Sequence, residues 1–224
     1  MKTRLLTIQF ALFFRDIIER PDTAFSGLNE RMINLFDGMP SMLPVPRELP
    51  PEIPIVTLRS EKDGYSCNIS RSRIDLLFSR SDDKKQNKDI FKDFNIKVAA
   101  FSKYVFEKQD VIRFGLIARY FKQDNDAVST IRKKYFSNAV ESVAELSLRY
   151  NAQSSVQKKV INDVVEIGAN QLIFNGQTID GVLVQRDINN APVVNELLSL
   201  QELEKLSTEL SGRISEEMIE ALIS

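Results

Sequence analysis

The sequence predicts an α+β fold in which one β-α-β-β-β-α unit is written twice, and two observations predict it. Ile8-Gln9-Phe10-Ala11-Leu12-Phe13-Phe14-Arg15 lines up with Ile112-Arg113-Phe114-Gly115-Leu116-Ile117-Ala118-Arg119 at a constant offset of 104. After each copy the chain passes through a helical period, three strand-like runs and a second helical period. The expected division is 1–110 for the first repeat and 111–224 for the second. Such a unit forms an antiparallel sheet with helices on one face, and two units either cover each other's spare faces or join edge to edge.

In the first repeat, Asp22 to Phe36 places Phe25, Leu28, Met32 and Leu35 or Phe36 at helical spacing, which predicts one short helix stopped by Gly38. Six of the eight prolines fall between Pro40 and Pro54. With so few backbone donors, this strap is expected to run extended over the surface. Ile53–Arg59, Tyr65–Ser70 and Arg73–Phe78 read as strands, the first two joined by a turn at Asp63-Gly64. Asp89–Glu107 carries Ile90, Phe91, Phe94, Val98, Phe101 and Val105 on a helical period and predicts the clearest helix of the chain.

The second repeat opens with a strand at Val111–Phe121 and a helix at Asp126–Phe136. Val143–Tyr150 alternates as a strand, and Asn151–Ser155 is expected to turn it. Val156–Ile167 fits either period, and its β-branched density favours strand. Leu172–Phe174, the turn pair Asn175-Gly176 and Ile179–Ile188 complete the pairing, which Asn189-Asn190-Ala191-Pro192 ends. From Val194 the chain reads as a helix through Leu197, Leu200, Leu203, Leu206 and Leu210, with a break at Gly212 and a cap at Ser215.

Composition removes whole classes of chemistry. The 224 residues contain no histidine, which excludes Ser-His-Asp, Cys-His and histidine-ligated zinc sites. The single cysteine, Cys67, has no partner within the chain and sits at strand spacing between Tyr65 and Ile69, as a small buried side chain would in a reducing compartment. Near Met1–Phe14 a basic start precedes an apolar run. Thr7 and Gln9 interrupt that run, and Arg15, Asp16 and Glu19 stand where a signal peptide would be cleaved. A cytoplasmic protein without membrane contact is expected.

Net charge is −1, so no overall field recruits nucleic acid. The charge is unevenly spread: 59–108 holds 12 basic and 8 acidic residues, whereas 177–224 holds 3 and 9. There is no tryptophan, and the aromatics sit at core spacing, so stacking platforms for nucleic acid are not expected. The eight glycines never cluster as a phosphate-cradling loop requires. Asp180 and Asp187, seven apart on one strand, point to opposite faces and cannot share an ion. No cofactor or metal is expected.

The candidate binding residues are few. Arg15 and Arg119, equivalent under the repeat, are candidate anion ligands that equally suit anchoring of strand ends. Arg186 and the polar run Asp187-Ile188-Asn189-Asn190 form a candidate loop gripping a partner's backbone, or else a strand end capped by its own side chains.

Val111-Ile112-Arg113-Phe114-Gly115-Leu116 leading to Arg119-Tyr120, with Leu183 to Asn190 followed by the leucine-rich helix, resembles a sporadically distributed, uncharacterised bacterial protein family of this length. Its pattern is roughly an Arg-Gly-Leu-Arg-Tyr strand and a late strand ending in Asp-Ile-Asn/Asp. The order of strands and helices also resembles the SecB-type export chaperone, whose subunits carry long helices on one side of an antiparallel sheet. The resemblance implies a chaperone-like, self-associating pseudo-dimer, and it carries over no catalytic residue. The leading expectation is a non-enzymatic module that binds a polypeptide, or a copy of itself, through sheet edges and helix grooves. The alternatives are a histidine-free, magnesium-dependent enzyme acting on a phosphate ligand, and a small-ligand sequestering protein in conflict between bacteria and phage.

Overall fold

The structure is a computed structural model that describes residues 3–44, 46, 48–136, 142–174, 176–193 and 196–224, with Phe174 described by its backbone alone. It is an α+β fold around one nine-stranded antiparallel sheet. The first half contributes β1 (Thr3–Phe14), α1 (Pro21–Ala24), α2 (Leu28–Arg31), β2 (Ser41–Met42), β3 (Val56–Arg59), β4 (Tyr65–Ile69), β5 (Arg73–Ser79) and α3 (Asn87–Phe106). The second contributes β6 (Val111–Gln123), α4 (Ala127–Tyr135), β7 (Ser147–Val156), β8 (Lys159–Phe174), β9 (Gln177–Asn190), α5 (Leu200–Leu210), a 3-10 turn (Ser211–Ile214) and α6 (Glu216–Ile223).

The strands lie in the order β2-β3-β4-β5-β1-β6-β9-β8-β7. The two segments of the sequence echo, β1 and β6, are the central neighbours and pair antiparallel, with Ile8 opposite Ala118, Ala11 opposite Gly115 and Leu12 opposite Phe114. Outward from that pair, the first half runs β1, β5, β4, β3 and the second runs β6, β9, β8, β7, with the two-residue β2 as an additional strand at the first half's outer edge. The halves meet edge to edge rather than face to face.

Period-two alternation decides which side chains the sheet buries. Leu5, Ile8, Phe10 and Leu12 of β1 and Phe114, Leu116, Ala118 and Tyr120 of β6 point to the helical side and are all buried. There Phe101 of α3 meets Phe10 edge to face, Phe91 stacks on Tyr120 and Phe94 stacks on Tyr65. The Tyr120 hydroxyl donates to the carbonyl of Ile214, which ties the 3-10 turn onto the sheet. Helix α5 starts with a capping box: the Ser199 side chain accepts the N–H of Glu202, and the Glu202 carboxylate accepts the N–H of Ser199 at 2.9 Å. Its Leu203, Leu206 and Leu210 are buried, and Ser215 caps α6 as the sequence predicts.

Four expectations need correction or completion. The helix expected over Asp22–Phe36 is two four-residue turns, α1 and α2, separated around Gly27. The chain then turns through Ile33 and Asn34 at left-handed φ values of 57° and 53°. The Asn29 amide stands in for helical hydrogen bonds there, accepting the N–H of Phe36 and donating to its carbonyl, both at 2.9 Å. The turn expected at Asn151–Ser155 lies inside β7, and the reversal comes at Gln157 and Lys158, with φ of 52° and 66°. Val156–Ile167 is strand, but Val156 ends β7 and Lys159 begins β8. The terminal helix starts at Leu200 rather than at Val194, which lies outside the described residues together with Asn175 of the expected turn pair. The proline strap is extended as expected and also lends Ser41 and Met42 to pair with Thr57 and Val56 at the sheet edge.

Candidate functional site

Alternation along β9 separates the candidate residues. Arg186 and Asn190 face the helices, whereas Asp187 and Asn189 face the other side of the sheet, the uncovered face, over which no described helix lies. Arg186 is 8 % exposed and grips Asp163 of β8 through two hydrogen bonds, Nε to Oδ1 at 2.8 Å and a terminal nitrogen to Oδ2 at 2.7 Å. Its remaining nitrogen donates to the carbonyl of Arg213, and the Arg213 guanidinium lies 3.3 Å from the same Asp163 carboxylate. One carboxylate thus sits between two guanidinium groups beneath the 3-10 turn.

Asn190 grips backbone, but of its own chain. Its Oδ1 accepts the N–H of Phe114 at 2.8 Å, and its Nδ2 donates to the carbonyl of Ile112 at 3.1 Å. The amide extends the β6–β9 ladder past Gly115↔Asn189, the last paired residues in that register.

The two arginines of the sequence echo do not meet. Arg15 follows β1 and pairs with Asp16 at 3.0 Å and Asp110 at 2.6 Å. Arg119 lies within β6 on the uncovered face, where its Nε donates to Gln185 at 2.6 Å.

On the uncovered face an amide chain runs inward from the sheet edge. Gln153 of β7 donates to Asn162 Oδ1 at 2.9 Å, Asn162 donates to Asn189 Oδ1 at 3.1 Å, and Asn189 donates to Asp187 Oδ1 at 3.0 Å. Asn189 is only 4 % exposed there, as is Ala11 at 3 %. Farther along, Phe13 carries Arg113 and Arg73 beside its ring, with guanidinium carbons 4.9 and 5.7 Å from the centroid. Asp75 is also buried on this side. Burial pushes its carboxyl above the usual carboxylate range, against the opposing pull of Arg73 and of the Gln9 amide.

Neither a family model nor a curated protein matches this sequence. Among the described residues no three of His, Cys, Asp and Glu converge on a metal position, and no helix is long and apolar enough to cross a membrane.

Two surfaces that the sequence did not single out have the character of binding sites. The first is a groove of about 460 Å³ between α3 and α5, lined by Val98, Ala99 and Ser102 from one helix and Leu200, Leu203 and Ser207 from the other. The Ser102 hydroxyl lines it while buried and without a hydrogen-bond partner. An orphaned buried hydroxyl costs about 1–3 kcal/mol, which a bound donor or acceptor would recover. The second is the outer edge of β7, ten residues long, which no described strand covers. The opposite edge is treated differently, since β2 is two residues long and flanked by Pro40 and Pro44. Neither surface is visible in a local pattern: α3 and α5 are separated by the whole of β6–β9, and an edge is a property of the sheet.

Proposed function

We propose that the chain is a non-enzymatic, chaperone-like binding module that holds a polypeptide through its helix groove and its sheet edge. The observation that carries the reading is Ser102. Its unpartnered, buried hydroxyl stands among Val98, Ala99 and Leu203, and Asn95, Ser207 and Thr208 add further polar groups to the lining, so the groove offers both apolar contact and partners for a main-chain group. Glu204 is the groove's one lining carboxylate, and among the described residues none of the lining hydroxyls is hydrogen-bonded to its side chain. Arg15 and Arg119, on which an enzymatic reading leans, are occupied by Asp16 and Asp110 in one case and by Gln185 in the other.

The reading includes a duplicated β-α-β-β-β-α unit joined as a SecB-like pseudo-dimer. The offset of 104 between Ile8–Arg15 and Ile112–Arg119, and the like order of strands outward from β1 and β6, support it. Under that duplication Ala11 corresponds to Gly115, the residue it faces, so the pseudo-two-fold axis passes between them.

The test is fluorescence anisotropy with a labelled, permanently unfolded polypeptide. Saturable binding is expected, weakened about tenfold or more by Val98→Glu, which places a charge in the groove, and less by Ser102→Ala. No binding by the wild-type chain, or equal binding by Val98→Glu, overturns the reading.

A further inference from the structure

β7 has one unused side. Its ladder with β8 runs from Ser147↔Gly168 to Val156↔Lys159 and closes in the two-residue turn at Gln157 and Lys158. In such a hairpin the pair flanking the turn is hydrogen-bonded, and bonded pairs alternate from there. Val156, Ser154, Ala152, Tyr150 and Leu148 therefore spend their N–H and C=O groups on β8. The N–H of Ala169 donating to the carbonyl of Leu146 at 3.0 Å continues the same phase. Ser147, Arg149, Asn151, Gln153 and Ser155 direct theirs away from the sheet, where no described strand receives them.

We infer that this edge pairs with the β7 edge of a second copy of the chain, antiparallel about a two-fold axis at Asn151. The inference rests on the binding reading for the sheet edge and names the partner there. Long edges without proline, bulge or inward charge are those that natural sheets leave open for pairing, and β7 has no such guard.

Side chains favour a copy over an unrelated strand. On the uncovered face the outer row is rich in amides, and an amide offers both donor and acceptor, so it complements itself. Asn151 meets its own counterpart, and the amide chain from Asp187 through Asn189 and Asn162 to Gln153 is continued into the second sheet. The strand's one charged residue, Arg149, falls opposite Gln153 of the copy, so no like charges face each other. On the helical face, Tyr150, 39 % exposed, falls opposite the small Ala152 of the copy, which leaves room for the ring to be covered. Five outward residues in each chain supply about ten interchain hydrogen bonds, a number typical of a specific interface.

Size-exclusion chromatography with light scattering, run on the full chain, tests this. The wild type is expected at twice 25.6 kDa, and Gln153→Pro at 25.6 kDa with unchanged circular dichroism. Proline at 153 removes an outward N–H and leaves the β7–β8 ladder intact. Should Gln153→Pro fail to fold, Asn151→Cys decides: the two-fold brings Asn151 against itself, so oxidation yields a covalent dimer from native protein, while buried Cys67 stays unreactive. A wild-type monomer over a wide concentration range, a dimer that persists in Gln153→Pro, or Asn151→Cys that stays monomeric on oxidation each overturns the inference. The binding reading fails separately, by the anisotropy of the Val98→Glu variant.

Discussion

Arg186 and Asp163 form a two-pronged ion pair across neighbouring strands, 23 residues apart in sequence, with both side chains at most 10 % exposed. The pair is closed from above by Arg213, so Asp163 is the single anion between two cations. Asp163→Ala leaves both guanidinium groups without their carboxylate and is expected to cost about 3–5 kcal/mol. Urea denaturation measures it. Asp163→Leu combined with Arg186→Met, which removes both buried charges, is expected to be more stable than Asp163→Ala alone.

Asp75 makes stability depend on pH with an unusual sign. Its folded-state pKa is raised, chiefly by burial, so the folded chain holds a proton that the unfolded chain gives up at lower pH. Stability contributed by this residue is therefore present at acid pH and lost as pH rises from the ordinary aspartate range through the raised value. Asp75→Asn, which keeps the shape and an acceptor for Gln9, is expected to gain on the wild type between pH 4 and pH 7. Paired urea titrations at the two pH values read the difference; an advantage that shrinks toward neutrality contradicts the assignment.

Two strand glycines separate by the space around them. A Cβ on Gly181 would lie 2.4 Å from the Lys122 carbonyl and 2.5 Å from Phe121, so Gly181→Ala is expected to destabilise by about 1–3 kcal/mol. A Cβ on Gly115 would meet Ala11 and Phe13 at 3.9 Å, ordinary contact distance. Gly115→Ala is expected to be neutral or to gain up to about 0.5 kcal/mol by removing backbone freedom. Thermal melts of the two variants should move in different directions or by clearly different amounts.

Cys67 is fully buried in β4, and burial pushes its thiol well above the ordinary range, with Asp75 adding to the shift. The folded chain should resist a thiol reagent, and labelling should proceed at the rate of global opening. Asp163→Ala is expected to accelerate it, although the two residues lie in different halves, because β4 and β8 belong to one sheet.

Much of the fold was legible because burial writes itself as a period. The spacing from Ile90 to Val105 gave α3 to within about two residues, and the alternation around Tyr65, Cys67 and Ile69 gave β4. The sequence pattern ends the strand at Tyr150, six residues before β7 ends, because an edge strand is wet on both faces: Asn151, Ala152, Gln153, Ser154 and Ser155 show no alternation, and their polarity imitates a turn. The break between α1 and α2 depends on Asn29 reaching Phe36, a contact the apolar spacing does not encode. Arg186, Asp187, Asn189 and Asn190 stand out as one contiguous polar run, and a strand splits any such run between its faces, while Arg15 and Arg119 stand out through the echo and lie apart. Asp163 and Arg213, which hold Arg186, and Ser102 in the groove come from distant segments that only the register of β8 on β9 and the packing of α3 on α5 bring into place.

β1 leaves a ribosome before β2–β9 do, but it ends up in the middle of their sheet. β1 finds β5 once residue 79 has emerged, yet its other side waits for β6, about a hundred residues downstream. Until then a nascent chain carries a bare apolar strand edge, the species most prone to clump and most in need of an escort. Closing so long a loop before it is rewarded also slows refolding, so this molecule should return from denaturant far more sluggishly than a helical bundle of its size.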